Sequence, residues 1–324
     1  MAYFSRTKRA QTEPIRERGI REPSATYDTN GAVIVKEYYD QIRKIGEGGQ
    51  GKLWIVKRKS DRKILVRKTQ KRFSMFGSIP CEMHIFENVL TSHPRILEFD
   101  HANYAEACGS LVLYFEHCQG GDLSEYVPGG GQSGASEKFI WQCFVQLADA
   151  LAFLHYGYDR FAKYPDTPPR SWRRIVHRDI KPGNVFLRRK LTSANPVPQI
   201  VLGDFGLATL DGLTYGGGTD EWIGPEIPVM TKETDVWGLG AIIHALAHGK
   251  GPVSWPPRDW PKGKKAASQW YSDPRARQPK PLPTRYSMSL DRNMMDCLIM
   301  DPSKRISSLQ LVKNLELERP KAFR

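Results

Sequence analysis

The sequence predicts an α+β fold in two unequal parts, a small antiparallel β-sheet unit with one key helix and a larger, mainly helical unit. Three observations carry this. Short runs from Tyr38 to about residue 70 alternate polar and apolar residues, as half-exposed strands do. Beyond Gln119-Gly120-Gly121 the period changes, and from Ser136 apolar residues fall at Ile140, Cys143, Phe144, Leu147, Leu151 and Leu154, one buried stripe of a helix. The length, 324 residues, suffices for two lobes in one chain.

In order along the chain, residues 1–37 mix charges with turn formers and read as a mostly unstructured arm. YYDQIRKI, LWIVKRK and KILVRK read as strands, and residues 79–91 (IPCEMHIFENVLT) as a helix. Two further strands are expected near 96–101 and 110–116, completing a unit over 38–118. The larger unit, 119–318, opens with the helix after Ser136, which is a good N-cap. It continues with an apolar helix over 232–248 that Gly249 stops, and with helices over 290–300 and 307–316. Segments 157–174 and 188–198 have the Arg, Pro and polar content of insertions, and 319–324 is a short tail.

Composition excludes several classes. Hydrophobic residues make up 40% and aromatics 10%, too much for a disordered chain. No apolar run approaches a membrane span, and the first residues carry no apolar core of signal-peptide type. The five cysteines are scattered, with no CxxC, which argues against a zinc site or a disulfide framework and for a reducing compartment, cytoplasmic or nuclear. Basic residues number 48 and acidic 35, for a net charge of +13. That excess is uneven: residues 119–249 are net negative, whereas 250–285 hold nine basic and two acidic residues with eight prolines and three tryptophans. The basic stretch matches no nucleic-acid module. It is read as a docking surface for an acidic protein partner, with a plain solvated surface as the alternative; no nucleic acid or membrane partner is expected.

Four motifs carry chemistry. Gly46-Glu47-Gly48-Gly49-Gln50-Gly51 is a GxGxxG between two strands, where missing side chains let backbone approach phosphates. In a dinucleotide fold it would open a helix; here a strand pattern follows. Lys68 ends the second strand after this loop and could reach phosphates beneath the glycines, with Glu82 on the next helix as the natural partner for its amine. His177-Arg178-Asp179-Ile180-Lys181-Pro182-Gly183-Asn184 lies between two apolar runs, and Asp204-Phe205-Gly206 follows an apolar strand.

With these motifs the sequence resembles the eukaryotic protein kinase family, whose catalytic loop reads HRDxKxxN before a DFG. Gly224-Pro225-Glu226 stands where that family has APE, Asp235-Val236-Trp237-Gly238-Leu239-Gly240 at its buried DxWSxG helix, and Arg305 in a DPxxR pattern whose arginine pairs with the APE glutamate. The resemblance covers about residues 38 to 316. HRDIKPGNVFL, with an insertion before it, is similar to the NIMA-related subgroup.

The resemblance implies a two-lobed fold and phosphoryl transfer from Mg-ATP to Ser or Thr hydroxyls of a protein substrate. It places Lys68 on the α and β phosphates, paired with Glu82, and Asn184 and Asp204 on Mg²⁺, which prefers oxygen ligands. Asp179 would orient the attacking hydroxyl and accept its proton, and Lys181 would face the γ-phosphate. Lys181, with Gly218-Thr219, matches the Ser/Thr-specific branch. Leu53 and Val66 would cover the nucleotide ring, Phe115 would gate the back of its pocket, backbone groups of Glu116 and Cys118 would bind adenine, and Asp122 the ribose. Arg178 calls for a partner, and a phosphate on Thr214 or Tyr215 is the expected one. A fold kept only for binding is the rival reading; the presence of Lys68, Asp179, Asn184 and Asp204 argues against it. His244 and His248, four apart, are read as packing rather than metal-binding histidines.

Overall fold

The structure is a computed structural model. It describes residues 38–48, 51–71, 73–105, 109–129, 134–169, 171–194, 196–210, 214–320 and 323, with the side chains of Gly48, Ala105, Thr214, Tyr215 and Lys264 left aside. The 1–37 arm, Gly49 and Gln50 therefore lie outside the described residues.

Three strands open the fold: β1 (Tyr39–Gly48), β2 (Gly51–Arg58) and β3 (Ile64–Gln70). A small hairpin, β4 (Met75–Phe76) with β5 (Ile79–Pro80), leads into helix α1 (Cys81–His84). That helix continues as a π-helical turn over Ile85–Val89. The expected helix over 79–91 is thus shorter, because Ile79–Pro80 is taken up in the hairpin and Leu90 is already extended. Strands β6 (Phe99–Ala105) and β7 (Ser110–Glu116) complete an antiparallel sheet in the order β1-β2-β3-β7-β6.

The larger part is built on helix α2 (Glu137–Tyr156), capped by Ser136, whose Oγ accepts from Phe139 N at 3.3 Å, and ended by Gly157. The short strands β8 (Ile175–Val176), β9 (Val185–Leu187), β10 (Ile200–Leu202) and β11 (Thr209–Leu210) follow, paired as β8 with β11 and β9 with β10. Next come β12 (Thr214–Tyr215) and its partner β13 (Val229–Met230). Helices α3 (Lys232–His248), α4 (Lys264–Ser272), α5 (Met288–Cys297) and α6 (Ser308–Glu318) close the chain. Helix α4 was not expected: its stripe is short, Ala266, Ala267, Trp270 and Tyr271, with Trp270 and Tyr271 packing against Val253 and Ala276.

Alternation on β3 decides what faces where. Leu65 and Arg67 point to the outer face of the sheet, so Val66 and Lys68 point inward. The main core runs without a break from Leu113 and Phe115 of the sheet, through Phe86, to α2 and α3. The two parts are therefore welded behind the cleft that separates them in front.

Candidate active site

Lys68 is buried on the inner face of β3, and its Nζ donates to both carboxylate oxygens of Glu82 at 3.0 Å and to Asp204 Oδ1 at 2.7 Å. Burial disfavours the charged ammonium. The two carboxylates outweigh burial and hold the Lys68 pKa above its ordinary value. Burial likewise disfavours the Asp204 carboxylate, but Lys68 prevails and keeps Asp204 below the usual carboxylate range. This triple contact joins β3, α1 and the start of the segment after β10. Asp204 sits at φ +60°, a left-handed conformation that turns its carboxylate toward Lys68.

The loop after β8 is held from below. Asp235 of α3 accepts from the backbone N–H of His177 at 2.7 Å and of Arg178 at 2.8 Å, and from His155 Nε2 at 3.0 Å. His177 Nε2 donates to Gly203 O at 3.0 Å while its Nδ1 accepts from Asp179 N. With the loop so pinned, the buried Asp179 gathers three donors. Oδ2 accepts from Lys181 Nζ at 2.7 Å and Asn184 Nδ2 at 3.0 Å, and Oδ1 accepts from Thr219 Oγ1 at 2.8 Å. Lys181 also donates to Thr219 Oγ1 at 2.8 Å. The Asn184 amide nitrogen is spent on Asp179, which leaves its oxygen as the atom able to meet a cation.

A cleft of about 920 Å³ lies between the sheet and the helical part, large enough for a nucleotide. Of the expected residues, Glu47, Gly51, Leu53, Val66, Lys68, Glu82, Glu116, Cys118, Asp122, Lys181, Asn184 and Asp204 line it. Gly46 and Gly48 lie in β1 beside it, opposite Leu53 and Gly51. Asp179 reaches it through Lys181 and Asn184. Gly51 is needed as glycine: at φ +115° a Cβ would meet Thr69 O at 2.1 Å.

Several positions behave otherwise than their motifs suggest. Glu47 is exposed and pairs with Lys44 and Lys52. The Asp122 carboxylate accepts from Ser124 N at 2.9 Å and caps the turn Leu123–Tyr126. Burial pushes the Cys118 thiol up to about 12. Arg178 donates to Leu207 O at 3.0 Å and to Gly216 O, while its buried Nε has no hydrogen-bond partner among the described residues. His244 and His248 pack with ring centroids 4.2 Å apart at a tilt of 32°, and His244 Nδ1 donates to Lys250 O. Among the described residues no group of three or more His, Cys, Asp or Glu could hold a metal.

Sequence reasoning missed some contributors. Arg188, in an insertion, donates in bidentate fashion to Glu116 at 2.9 Å and fixes the strand that enters the connection between the lobes. Tyr126, Lys190 and Leu191 also line the cleft. The basic run Arg188-Arg189-Lys190 following an apolar strand was the available signal. The expected pair is present: Arg305 donates to Glu226 at 2.7 and 3.0 Å in a buried setting. Phe205 is fully buried between Phe86 and His177, at centroid distances of 5.0 and 4.9 Å.

Sheet, welded core and this polar array together define a phosphotransferase-type cleft, and comparison with known families agrees. Residues 39–315, most of the chain, match the protein kinase domain, so the chain belongs to that family. It is 32% identical over 302 residues to the G2-specific protein kinase nim-1 of Neurospora crassa, covering 87% of this chain and 33% of that protein. Similarity to the G2-specific protein kinase nimA of Emericella nidulans is 31% over 303 residues, 87% of this chain and 41% of that protein. To the serine/threonine-protein kinase Nek2 of Mus musculus it is 30% over 224 residues, 65% and 46%. The chain thus spans between a third and just under half of the length of these relatives. The expected family, its serine/threonine branch and the likeness to NIMA-related kinases are borne out. No helix among the described residues is long and apolar enough to cross a membrane.

Proposed function

We propose that this chain is an ATP-dependent serine/threonine protein kinase, transferring the γ-phosphate of Mg-ATP to Ser or Thr hydroxyls of protein substrates. The observation that carries this is the joining, along one cleft, of the Lys68–Glu82–Asp204 contact with the Asp179–Lys181–Asn184–Thr219 cluster. In this reading Lys68, steered by Glu82, holds the α and β phosphates beneath the glycine loop. Leu53 and Val66 cover the base, backbone groups of Glu116 and Cys118 bind it, and Asp122 meets the ribose. Asp204 and the Asn184 amide oxygen suit Mg²⁺, being hard oxygen donors; two such donors fall short of its octahedral demand, and phosphate oxygens would complete it. The ion supplies positive charge to the phosphates when bound.

Asp179 takes the proton of the attacking hydroxyl. Thr219 donates its single hydroxyl hydrogen to Asp179 and accepts from Lys181, which sets the carboxylate's orientation and aims the lysine at the transferring group. The negative central stretch and a reducing cytoplasmic or nuclear setting fit this reading, and Cys81, Cys118, Cys143 and Cys297 are free thiols. The basic 250–285 stretch is the proposed dock for an acidic protein partner.

The test is turnover of Mg-ATP with a panel of Ser/Thr protein substrates, wild type beside Asp179→Asn. Loss of kcat on the order of 10³-fold with nucleotide binding retained is expected. Equal rates in the two proteins would favour the binding-scaffold reading.

A further inference from the structure

One side chain of the helical part reaches across to the sheet and is gripped there at two places. Of the run Arg188-Arg189-Lys190 that follows β9, Arg189 and Lys190 stand exposed, whereas Arg188 is turned inward, its side chain 28% exposed. Its guanidinium meets the carboxylate of Glu116, the last residue of β7: Nε donates to Oε2 and Nη2 to Oε1, each at 2.9 Å. Beyond that pair, Nη1 donates to Pro94 O at 2.7 Å, and Nη2 also reaches Ile96 O at 3.4 Å. Glu116 is held from the sheet as well. Its Oε1 accepts from Glu98 N at 2.9 Å, and its own N–H donates to Glu98 O at 2.9 Å. Further on, Gln119 N donates to Arg188 O at 3.2 Å, and Gly120 N donates to Leu187 O at 2.9 Å. One arginine thus ties together the segment between α1 and β6, the end of β7 and the end of β9, through contacts 72 to 94 positions apart.

We propose that Arg188 is a positioning residue: through Glu116 it latches the connection between the two parts and so sets the affinity of the cleft for nucleotide. The physical basis is the shape of the guanidinium. Its planar fork gives a carboxylate two parallel N–H bonds and keeps donors for carbonyls, which the compact ammonium of a lysine does not offer in fixed geometry. The pair is partly buried, with Glu116 17% exposed, so solvent screens it less than a surface pair. His117, Cys118 and Gln119 follow Glu116 directly and line the cleft. With both carboxylate oxygens held, the peptide groups from Glu116 to Cys118, which bind the base in the kinase reading, are fixed in orientation. The Asp179 cluster depends on none of these contacts, because Asp235 holds its loop from α3. The latch therefore acts on binding and leaves the transfer step alone. This inference rests on the kinase reading above and names what tunes nucleotide affinity at the same site.

The experiment measures Mg-ADP affinity by calorimetry, and the KM for ATP and kcat with a generic Ser/Thr protein substrate, on the full chain. Wild type is compared with Arg188→Ala, Arg188→Lys, Glu116→Gln, the double variant Arg188→Ala/Glu116→Gln and Arg189→Ala, with Asp179→Asn as the inactive reference. Arg188→Ala is expected to weaken Mg-ADP binding and raise the KM for ATP on the order of tenfold, with kcat within about threefold of wild type. A merely structural role would instead lower kcat with the active fraction and leave the affinity unchanged. Arg188→Lys keeps the charge but loses the fork, and should fall between wild type and Arg188→Ala. The double variant should bind no more weakly than the weaker single one, because the two side chains act as a unit. Arg189→Ala, the exposed neighbour, should match wild type. Wild-type affinity in Arg188→Ala, or a double variant whose loss is the product of the two single losses, overturns the latch alone. Should Arg188→Ala not fold, wild-type affinity in Arg188→Lys does the same. A wild type that binds Mg-ADP but turns over no faster than Asp179→Asn overturns the phosphotransfer reading, while the affinities still decide the latch. A wild type that binds no Mg-ADP overturns both.

Discussion

His244 carries no chemistry in the reading above, yet it shows how a single buried side chain sets a property of the protein. Its Nδ1 donates to Lys250 O at 2.8 Å and its Nε2 accepts from Lys280 N at 3.3 Å, an arrangement only the neutral ring can make. Burial lowers its pKa to about 4, and burial does the same to His93, also to about 4. For a depressed histidine the native state favours the neutral form. The stability it contributes is complete above the unfolded value near 6.5 and is lost as pH falls toward 4. Urea unfolding should therefore show stability falling from about pH 6.5 to pH 4, by roughly 3 kcal/mol per histidine. His244→Gln should flatten that slope; an unaltered slope would contradict the assignment. At this scale the sequence was most informative for Lys68, Asp179, Asn184 and Asp204, because their spacing within polar motifs flanked by apolar strands leaves few ways to place them. It was silent on the carbonyl partners of Arg178, since backbone acceptors carry no residue signature.

Helix α3 shows what an element does for a site it never enters. Its apolar run makes it a core helix, and Asp235 at its first turn holds the loop of Asp179 by two backbone N–H groups. Its N-terminal end is tied in turn to the segment carrying Glu226: Arg305 bridges Glu226 and Glu233 O, and Thr234 Oγ1 donates to Glu226 Oε1 at 2.9 Å. Arg305→Ala would leave the Glu226 carboxylate buried without its cation. A loss of about 3–5 kcal/mol is expected, read as a lower midpoint in denaturant with an unchanged slope. A loss below about 1 kcal/mol would mean the pair is solvated in solution. Element boundaries set by caps, Ser136 and Gly249 among them, were legible because a hydroxyl or a glycine at a helix end has a local geometric cause. The π-helical turn after α1 was not, because it depends on how Ile85 and Phe86 seat in the core.

Across the whole molecule, charge separates by function. Asp122, Asp179 and Asp204 belong to the net negative stretch 119–249, whereas Lys250, Arg258, Lys262, Lys265 and Lys280 stand exposed on the C-terminal side, as does Trp255, itself 73% exposed. Helix α4 of this region packs near the turn Asp220–Trp222, so an acidic protein docked there would lie next to the segment that carries Thr219. Lys262→Gln/Lys265→Gln/Lys280→Gln should weaken binding of an acidic peptide on the order of tenfold at low salt, with the two proteins converging at high salt. Calorimetric titration at two ionic strengths reads this; equal affinities at low salt would remove the docking role. The sequence by itself determined the two-part α+β architecture, the family, and which polar residues belong to the cleft, because periodicity and motif spacing are local and survive without coordinates. Only the tertiary structure decided that Glu82 and Asp204 share one lysine, that Thr219 closes on Asp179, and that the Leu207 and Gly216 carbonyls accept from Arg178. Those contacts join residues up to 136 positions apart, and nothing but the packing of sheet on helices brings them within hydrogen-bond reach.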